Sequence, residues 1–245
     1  MMSNEKRPKK PYDLSFISIS RGLLLFFLPL IAYIFAVFPI IYILFTILGY
    51  VPFTGILYYF ILSIFLVFAF FILLILISFI PGLFIKIFRI RVPEGTYELA
   101  ITDKAFFLHM LFFVLYRPSL TFIGVLPLVP LRLRLLKLVG LQIGKGSLIA
   151  GTEMIDEPYA VTIGENTLIG GLSTIFSHIS DTKLRMKPVK IGSNCFIGNK
   201  SVIMPGAIIE DDVRVEPNTV VNQDQVLQRG KTYFGNPAQE LKQKS

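Results

Sequence analysis

Histidine, cysteine and charge are all scarce in this chain of 245 residues. It holds one cysteine and two histidines, and 16% of its residues are charged. A lone Cys195 excludes an intrachain disulfide, and its place in the pattern described below makes it a packed thiol rather than a reactive one. Two histidines leave few side chains able to move a proton near neutral pH. Charge is missing in blocks, for residues 22–48 and 51–80 carry none. At about 1.5 Å per residue, either stretch crosses a hydrocarbon core of roughly 30 Å.

What is abundant agrees with what is missing. Hydrophobic residues make up 53% of the chain and 23 of them are Phe, which argues against a wholly soluble protein. Residues 21–92 are read as two transmembrane helices. Pro29 and Pro39 can kink the first without breaking it, and Gly49, Pro52 and Gly55 supply a short turn. The apolar run is too long for a cleaved signal peptide and lacks its small-residue cleavage pattern. Basic residues flank the spans: Lys6, Arg7, Lys9 and Lys10 in the segment 1–20, then Arg21, and Lys86, Arg89 and Arg91 after the second span. The connecting loop has none, so the positive-inside tendency predicts a two-pass integral membrane protein with both termini in the cytoplasm. The net charge of +8 belongs to this topology and to contact with membrane lipids, not to nucleic acid.

Residues 93–142 form a connector. Its apolar pieces, 105–116 and 119–131, are divided by Arg117-Pro118, and each is too short to span alone. We expect two interfacial helices on the cytoplasmic face, the first capped by Asp103, with re-entry into the membrane or a third and fourth span as the alternative. Arg132, Arg134 and Lys137 are expected among headgroups. His109 reads as a packing or interfacial residue.

From Ile143 to Val226 the chain repeats a six-residue unit. The units run IGKGSL, IAGTEM and IDEPYA from 143, then IGENTL, IGGLST and IFSHIS from 163; IGSNCF, IGNKSV and IMPGAI start at 191, and IEDDVR, VEPNTV and VNQDQV at 209. Six residues suit one short strand plus a turn, and three units make one coil of a triangular prism. The pattern predicts four coils: 143–160, 163–180, 191–208 and 209–226. They are interrupted by Val161-Thr162 and by DTKLRMKPVK, residues 181–190. Position 1 is Ile or Val throughout, as a narrow shared core requires. Position 5 is mostly small or β-branched and should also face inward; Tyr159 and Gln225 break that rule without an explanation at this level.

His178 occupies position 4 of the last unit before the ten-residue excursion, on an ordered scaffold beside an irregular loop. Its register neighbours are Pro158 one coil earlier and Gly206 one coil later, which leaves room beside the imidazole.

The stretch from His178 to Leu241, with its histidine, loop, P-V-K-I-G, P-G and terminal G-N-P-A, resembles the hexapeptide-repeat acyltransferases of the maltose and xenobiotic acetyltransferase type. Residues 93–113 and 131–146 also resemble the membrane-associated C-terminal part of nonribosomal-peptide-synthetase-like proteins. The resemblance implies a left-handed parallel β-helix, an all-β solenoid of about four coils over 143–245, that forms a homotrimer and uses acetyl-CoA or another acyl-CoA, with no metal. It places the family's general base on His178. It also suggests Gly206, Ala207, Asn236, Pro237 and Ala238 as lining for the acyl-CoA groove, with Lys200, Arg214, Arg229 and Lys231 as candidates for its phosphates. A family tryptophan is replaced by Phe196, and the chain has no tryptophan.

Lys183, Arg185 and Lys187 are candidates for a phosphorylated acceptor or, equally, for lipid headgroups, and Asp181 and Glu153 for contact with the acceptor or orientation of His178. The expected acceptor is lipid-linked or membrane-proximal, such as a glycan or an envelope precursor. Two other readings of the scaffold fail on composition. A γ-type carbonic anhydrase needs three histidines for its zinc, and a sugar nucleotidyltransferase needs a glycine-rich nucleotide loop that residues 1–142 do not offer. A non-catalytic trimeric subunit that organises a membrane complex is the alternative from another class.

Overall fold

The structure is a computed structural model, and it describes residues 15–50, 55–126 and 128–241. Lys6, Arg7, Lys9, Lys10 and Pro52 lie outside the described residues. Four helices precede the repeat: α1 (Phe16–Tyr50), α2 (Ile56–Ile87), α3 (Lys104–Gly124) and α4 (Val129–Leu138). α1 runs unbroken through Pro29 and Pro39 and takes in Gly49, and Gly55 caps α2 with φ 84°. Phe26, Phe38, Phe45, Phe60 and Phe68 lie exposed along α1 and α2, as hydrocarbon-facing side chains would. α1, α2 and α3 are each long and apolar enough to cross a membrane.

The connector departs from expectation. Arg117-Pro118 does not divide it, because α3 continues through Pro118 as one helix of 21 residues. Proline removes an N–H and crowds the preceding turn, but α3 is held along its length by other contacts. Asp103 caps it, accepting hydrogen bonds from the Ala105 and Phe106 amides at 2.7 and 3.2 Å. Past the proline, the Ser119 and Thr121 hydroxyls donate to the carbonyls of Leu115 and Arg117. Phe112, Leu115 and Tyr116 are fully buried between the helices and the first coils. Arg132, expected among headgroups, is instead buried and paired with Glu153 at 2.9 Å. The pairing offsets the desolvation that burial imposes on both charges.

From Gln142 onward short strands stack in parallel into three sheets, the faces of a prism. One sheet stacks Gln142–Ile143, Val161–Ile163, Val189–Ile191, Ile208–Ile209 and Val226–Leu227. The second begins Leu148–Ile149 and Leu168–Ile169, and the third Met154–Ile155 and Thr174–Ile175. Ile163, Ile169, Ile175, Ile197, Ile203 and Val221 are all buried, and so are the position 5 residues Ser147, Thr167, Ser173, Cys195, Ser201, Ala207, Val213 and Thr219. Glycine follows the isoleucine where the next coil's backbone passes underneath: a Cβ on Gly164 would stand 2.5 Å from the Ser193 amide nitrogen. Pairing continues beyond Val226, because Leu227 takes the inward position and Thr232–Phe234 pairs with Arg214–Val215.

Both interruptions are structured. Val161 and Thr162 lengthen one rung to three residues. The segment 181–190 is not an irregular loop, for Leu184–Met186 pairs antiparallel with His178–Ser180 on one side and Gly95–Tyr97 of the connector on the other. The two residues that break the position 5 rule have local reasons. Tyr159 sits in a 3-10 turn, Pro158–Ala160, and meets the Phe112 ring edge-on at 5.0 Å. Gln225 accepts from the Asn222 amide and donates to the Ala238 carbonyl, tying down the C-terminal end.

Candidate active site

At most corners of the prism the fourth residue of the hexad takes a left-handed conformation. Asn166, Asn194, Asp212 and Asn218 have φ of 52°, 56°, 60° and 58°, and Gly206 has 77°. Asn, Asp and Gly tolerate that region best. Pro158 cannot adopt it, since its ring fixes φ near −65°, and the chain takes a 3-10 turn there instead. One coil later His178 begins a strand that leads into the excursion. The prism is therefore open at one corner in two successive coils, and α3 lies against it.

His178 stands at that opening, with 18% of its side chain exposed. Its Nδ1 lies 2.6 Å from Glu157 Oε1, within ion-pair distance. Glu157 is fully buried, and its Oε2 accepts from the Ser177 amide at 3.0 Å, so the carboxylate is held from the strand that carries the histidine. The imidazole is bounded by His109 at 4.7 Å between ring centroids, Phe113 at 5.7 Å and Phe176 at 6.4 Å. His109 and Phe113 come from one face of α3. The Nδ1–Oε1 contact is not aligned as a hydrogen bond, so charge and proximity hold the pair together.

The electrostatics follow from this burial. Burial by itself would lower the His178 pKa, but the close contact and charge of Glu157, with Asp156 adding, outweigh it and raise the pKa above its ordinary value. Asp156 is pushed up to about 6, chiefly by burial and also by the Glu157 charge, against the lowering effect of Arg117 and His178. Arg117, from α3, sits 3.0 Å from Asp156 and 5.2 Å from the centre of the Phe113 ring.

His109, Glu157 and His178 bring three possible metal-ligand atoms within 4.8 Å of one another. Two ligands of a tetrahedral zinc, each about 2.0–2.1 Å from the ion, stand roughly 3.3 Å apart. The 2.6 Å contact between Glu157 and His178 is shorter than that, and His109 Nδ1 is 4.0 Å from Glu157 Oε1. The geometry is that of a carboxylate–imidazole pair.

The other residues singled out from the sequence are dispersed. Glu153 is buried and taken up by Arg132 and by the Gly151 amide, so it orients α4 rather than His178. Asp181 is exposed; it accepts from the Thr182 amide and pairs with Arg185 within the turn. Lys183 pairs with Glu98 at 3.2 Å, and Lys187 with Asp224 at 2.5 Å. The atoms nearest to a Cβ on Gly206 belong to Asp224 and Lys187, not to its register neighbour His178. Arg214 lies 4.4 Å above the Phe196 ring and pairs with Glu216, Arg229 pairs with Asp212, and Lys231 pairs with Glu240. Lys200 occupies a left-handed corner with φ 60°. Ala207 and Ala238 are buried, and the Asn236–Pro237 peptide is cis. Cys195 is buried, and burial raises its thiol pKa.

Glu157 was not singled out from the sequence, and the place of His109, read there as a packing or interfacial residue, was not foreseen. Glu157 was within reach of it: the register that sets Pro158 beside His178 also sets Glu157 beside Ser177. His109 was not, because only the docking of α3 brings it across 69 positions of sequence to His178.

Residues 188–223 match the family described as bacterial transferase hexapeptide (six repeats), which shows that the chain carries this repeat. Over 100 residues the chain is 33% identical to "Putative acetyltransferase YvoF" of Bacillus subtilis (strain 168), covering 40% of this chain and 57% of that protein. Over 104 residues it is 28% identical to the delta-poly-L-ornithine synthetase of Acinetobacter baumannii (strain AB307-0294), covering 42% of this chain and 8% of that protein. The chain thus spans less than two thirds of either relative. Among solved structures, a maltose O-acetyltransferase from Clostridium difficile 630 is 22% identical, with 51% of this chain and 82% of that chain covered and a TM-score of 0.42.

Proposed function

We propose that the protein is a membrane-anchored acyltransferase that uses acetyl-CoA or another acyl-CoA, with His178 as general base. The observation that carries this reading is the Glu157–His178 pair at the open corner of the prism. With Nδ1 committed to Glu157, the other nitrogen of the neutral ring is left to act on a substrate. Nε2 removes the proton from an acceptor hydroxyl or amine as that atom attacks the thioester carbonyl. The tetrahedral intermediate then collapses with cleavage of the C–S bond, and the imidazolium returns the proton to the departing thiolate. Base catalysis of this kind is worth about 10²- to 10⁴-fold.

The name of the YvoF relative supports the reaction class, and the hexapeptide repeat over 188–223 supports the scaffold. The donor would lie along the later coils, past Gly206, Ala207 and Asn236–Ala238, in a homotrimer whose neighbouring prisms share the site. Arg214, stacked on Phe196 and paired with Glu216, would be the candidate for a phosphate or the pantetheine arm. α1 and α2 would hold the prism on the cytoplasmic face, where acyl-CoA is made, with the connector at the interface. An anchored enzyme suits a membrane-linked glycan or envelope precursor as acceptor, met by Lys183, Arg185 and Asp181.

The test is His178→Ala. Lipid-linked and surface glycans from cells carrying the wild-type or variant gene are compared by mass spectrometry. Loss of one acyl mass, with the purified variant still folded and of unchanged size, is the expected result. Undiminished acylation would remove His178 from the mechanism and favour the alternative of a non-catalytic trimeric subunit.

A further inference from the structure

Two adjoining cavities of about 450 and 330 Å³ lie where α2 ends against the first coils, and Arg89, Arg91 and Tyr159 line both. Lys187 adds a cation to the first, and Lys86 and Lys137 add two to the second; Glu94 is the one acid among the lining residues. Lys86, Arg89, Arg91 and Lys137 have no carboxylate partner within ion-pair distance among the described residues. The Tyr159 hydroxyl is buried without a well-aligned partner.

The end of α2 is built to hold Arg89 there. The Ile90 amide donates to Ile85 and the Arg89 amide to Lys86, the paired bonds of a Schellman motif, while Ile90 and Ile85 are both buried. Arg89 therefore occupies the left-handed position with φ 50°, which glycine fills at far lower cost. An arginine kept in a glycine's conformation, at the mouth of two cavities lined with cations, marks a site where its guanidinium is needed.

We infer that these cavities bind the phosphate of an anionic amphiphile, whose apolar chain lies along the exposed face of α2. Guanidinium groups suit phosphate because their N–H pairs are matched to its oxygens. The position also reaches the proposed chemistry. Met186, in the cavity wall, stands opposite His178 in the antiparallel register, and the Lys187 amide donates to the Ser177 carbonyl at 2.8 Å. A phosphate held here anchors a membrane-borne acceptor beside the base. This assignment of the acceptor's class rests on the acyltransferase reading, whereas the binding site itself does not.

The test uses the purified full chain in a neutral detergent, without acyl-CoA. It is titrated by microscale thermophoresis with dioctanoyl phosphatidate, dioctanoyl phosphatidylcholine and sodium pyrophosphate. Saturable binding of phosphatidate is expected, weaker binding of pyrophosphate at the same site, and a loss of about tenfold or more for phosphatidate in Arg89→Gly combined with Arg91→Gln. Arg89→Gly alone should unfold at the same or a higher temperature, which separates lost binding from lost fold. Absence of saturable binding, equal binding of phosphatidylcholine, or wild-type affinity in the double variant overturns the site. Pyrophosphate binding as tightly as phosphatidate keeps the anion site and overturns its assignment to the membrane. Since no turnover is read, His178→Ala should bind phosphatidate normally, so failure of the acyltransferase reading leaves this result standing.

Discussion

At the scale of the residue, Glu157 governs what His178 can do. A general base must be neutral, so activity should rise with pH as His178 loses its proton. Because Glu157 raises that pKa, its removal should lower it. In Glu157→Gln the acid limb of the pH–activity curve is expected to move to lower pH, and the plateau to fall by about 10²-fold as the ring loses its fixed orientation. A variant with a lower plateau and an unmoved limb would reduce Glu157 to a packing role. The sequence displayed His178 because the repeat gave it a register. The same register offered Glu157, yet it was obscured by Glu153 and Asp181, two acids with no less claim until burial was known. Glu153 faces Arg132 because α4 folds over it, and no count of hexads contains that contact.

At the scale of the element, α3 is the component that turns a prism corner into a site. Its Tyr116 hydroxyl donates to the Ile155 carbonyl at 2.7 Å, and both residues are buried. Tyr116→Phe leaves that carbonyl without its bond, at a cost of about 1–3 kcal/mol. A lower thermal midpoint is expected, together with reduced activity, since α3 also carries His109 and Phe113 to the imidazole. An unchanged midpoint would show that α3 is docked by apolar contact alone. Composition made α3 look like two pieces broken at Pro118. Local propensity was overruled by burial against the prism, where apolar contacts and hydroxyl–carbonyl bonds keep the helix continuous.

At the scale of the whole molecule, the apolar side chains exposed on α1 and α2 require a medium other than water. The protein is expected to stay with membranes through alkaline carbonate extraction. In detergent, light scattering should give a protein mass near three times the 27.7 kDa of the chain. Release by carbonate would end the anchored reading, and a monomer of full activity would end the shared site between prisms.

The sequence by itself determined the periodic elements. An inward Ile or Val every six residues is buried by stacking, and long uncharged runs are apolar enough to cross a membrane, so both are local features that composition states outright. It also set Pro158 in register with His178, at the corner the structure leaves open. Only the tertiary structure decided what fills that corner. His109, Phe113 and Arg117 meet Glu157, His178 and Asp156 because one helix packs across two coils, and Arg89 lines one cavity with Lys187 and another with Lys137 because α2 ends against the same surface. Those contacts join residues far apart in the chain, and they are chosen by the fit of surfaces rather than by any pattern along it.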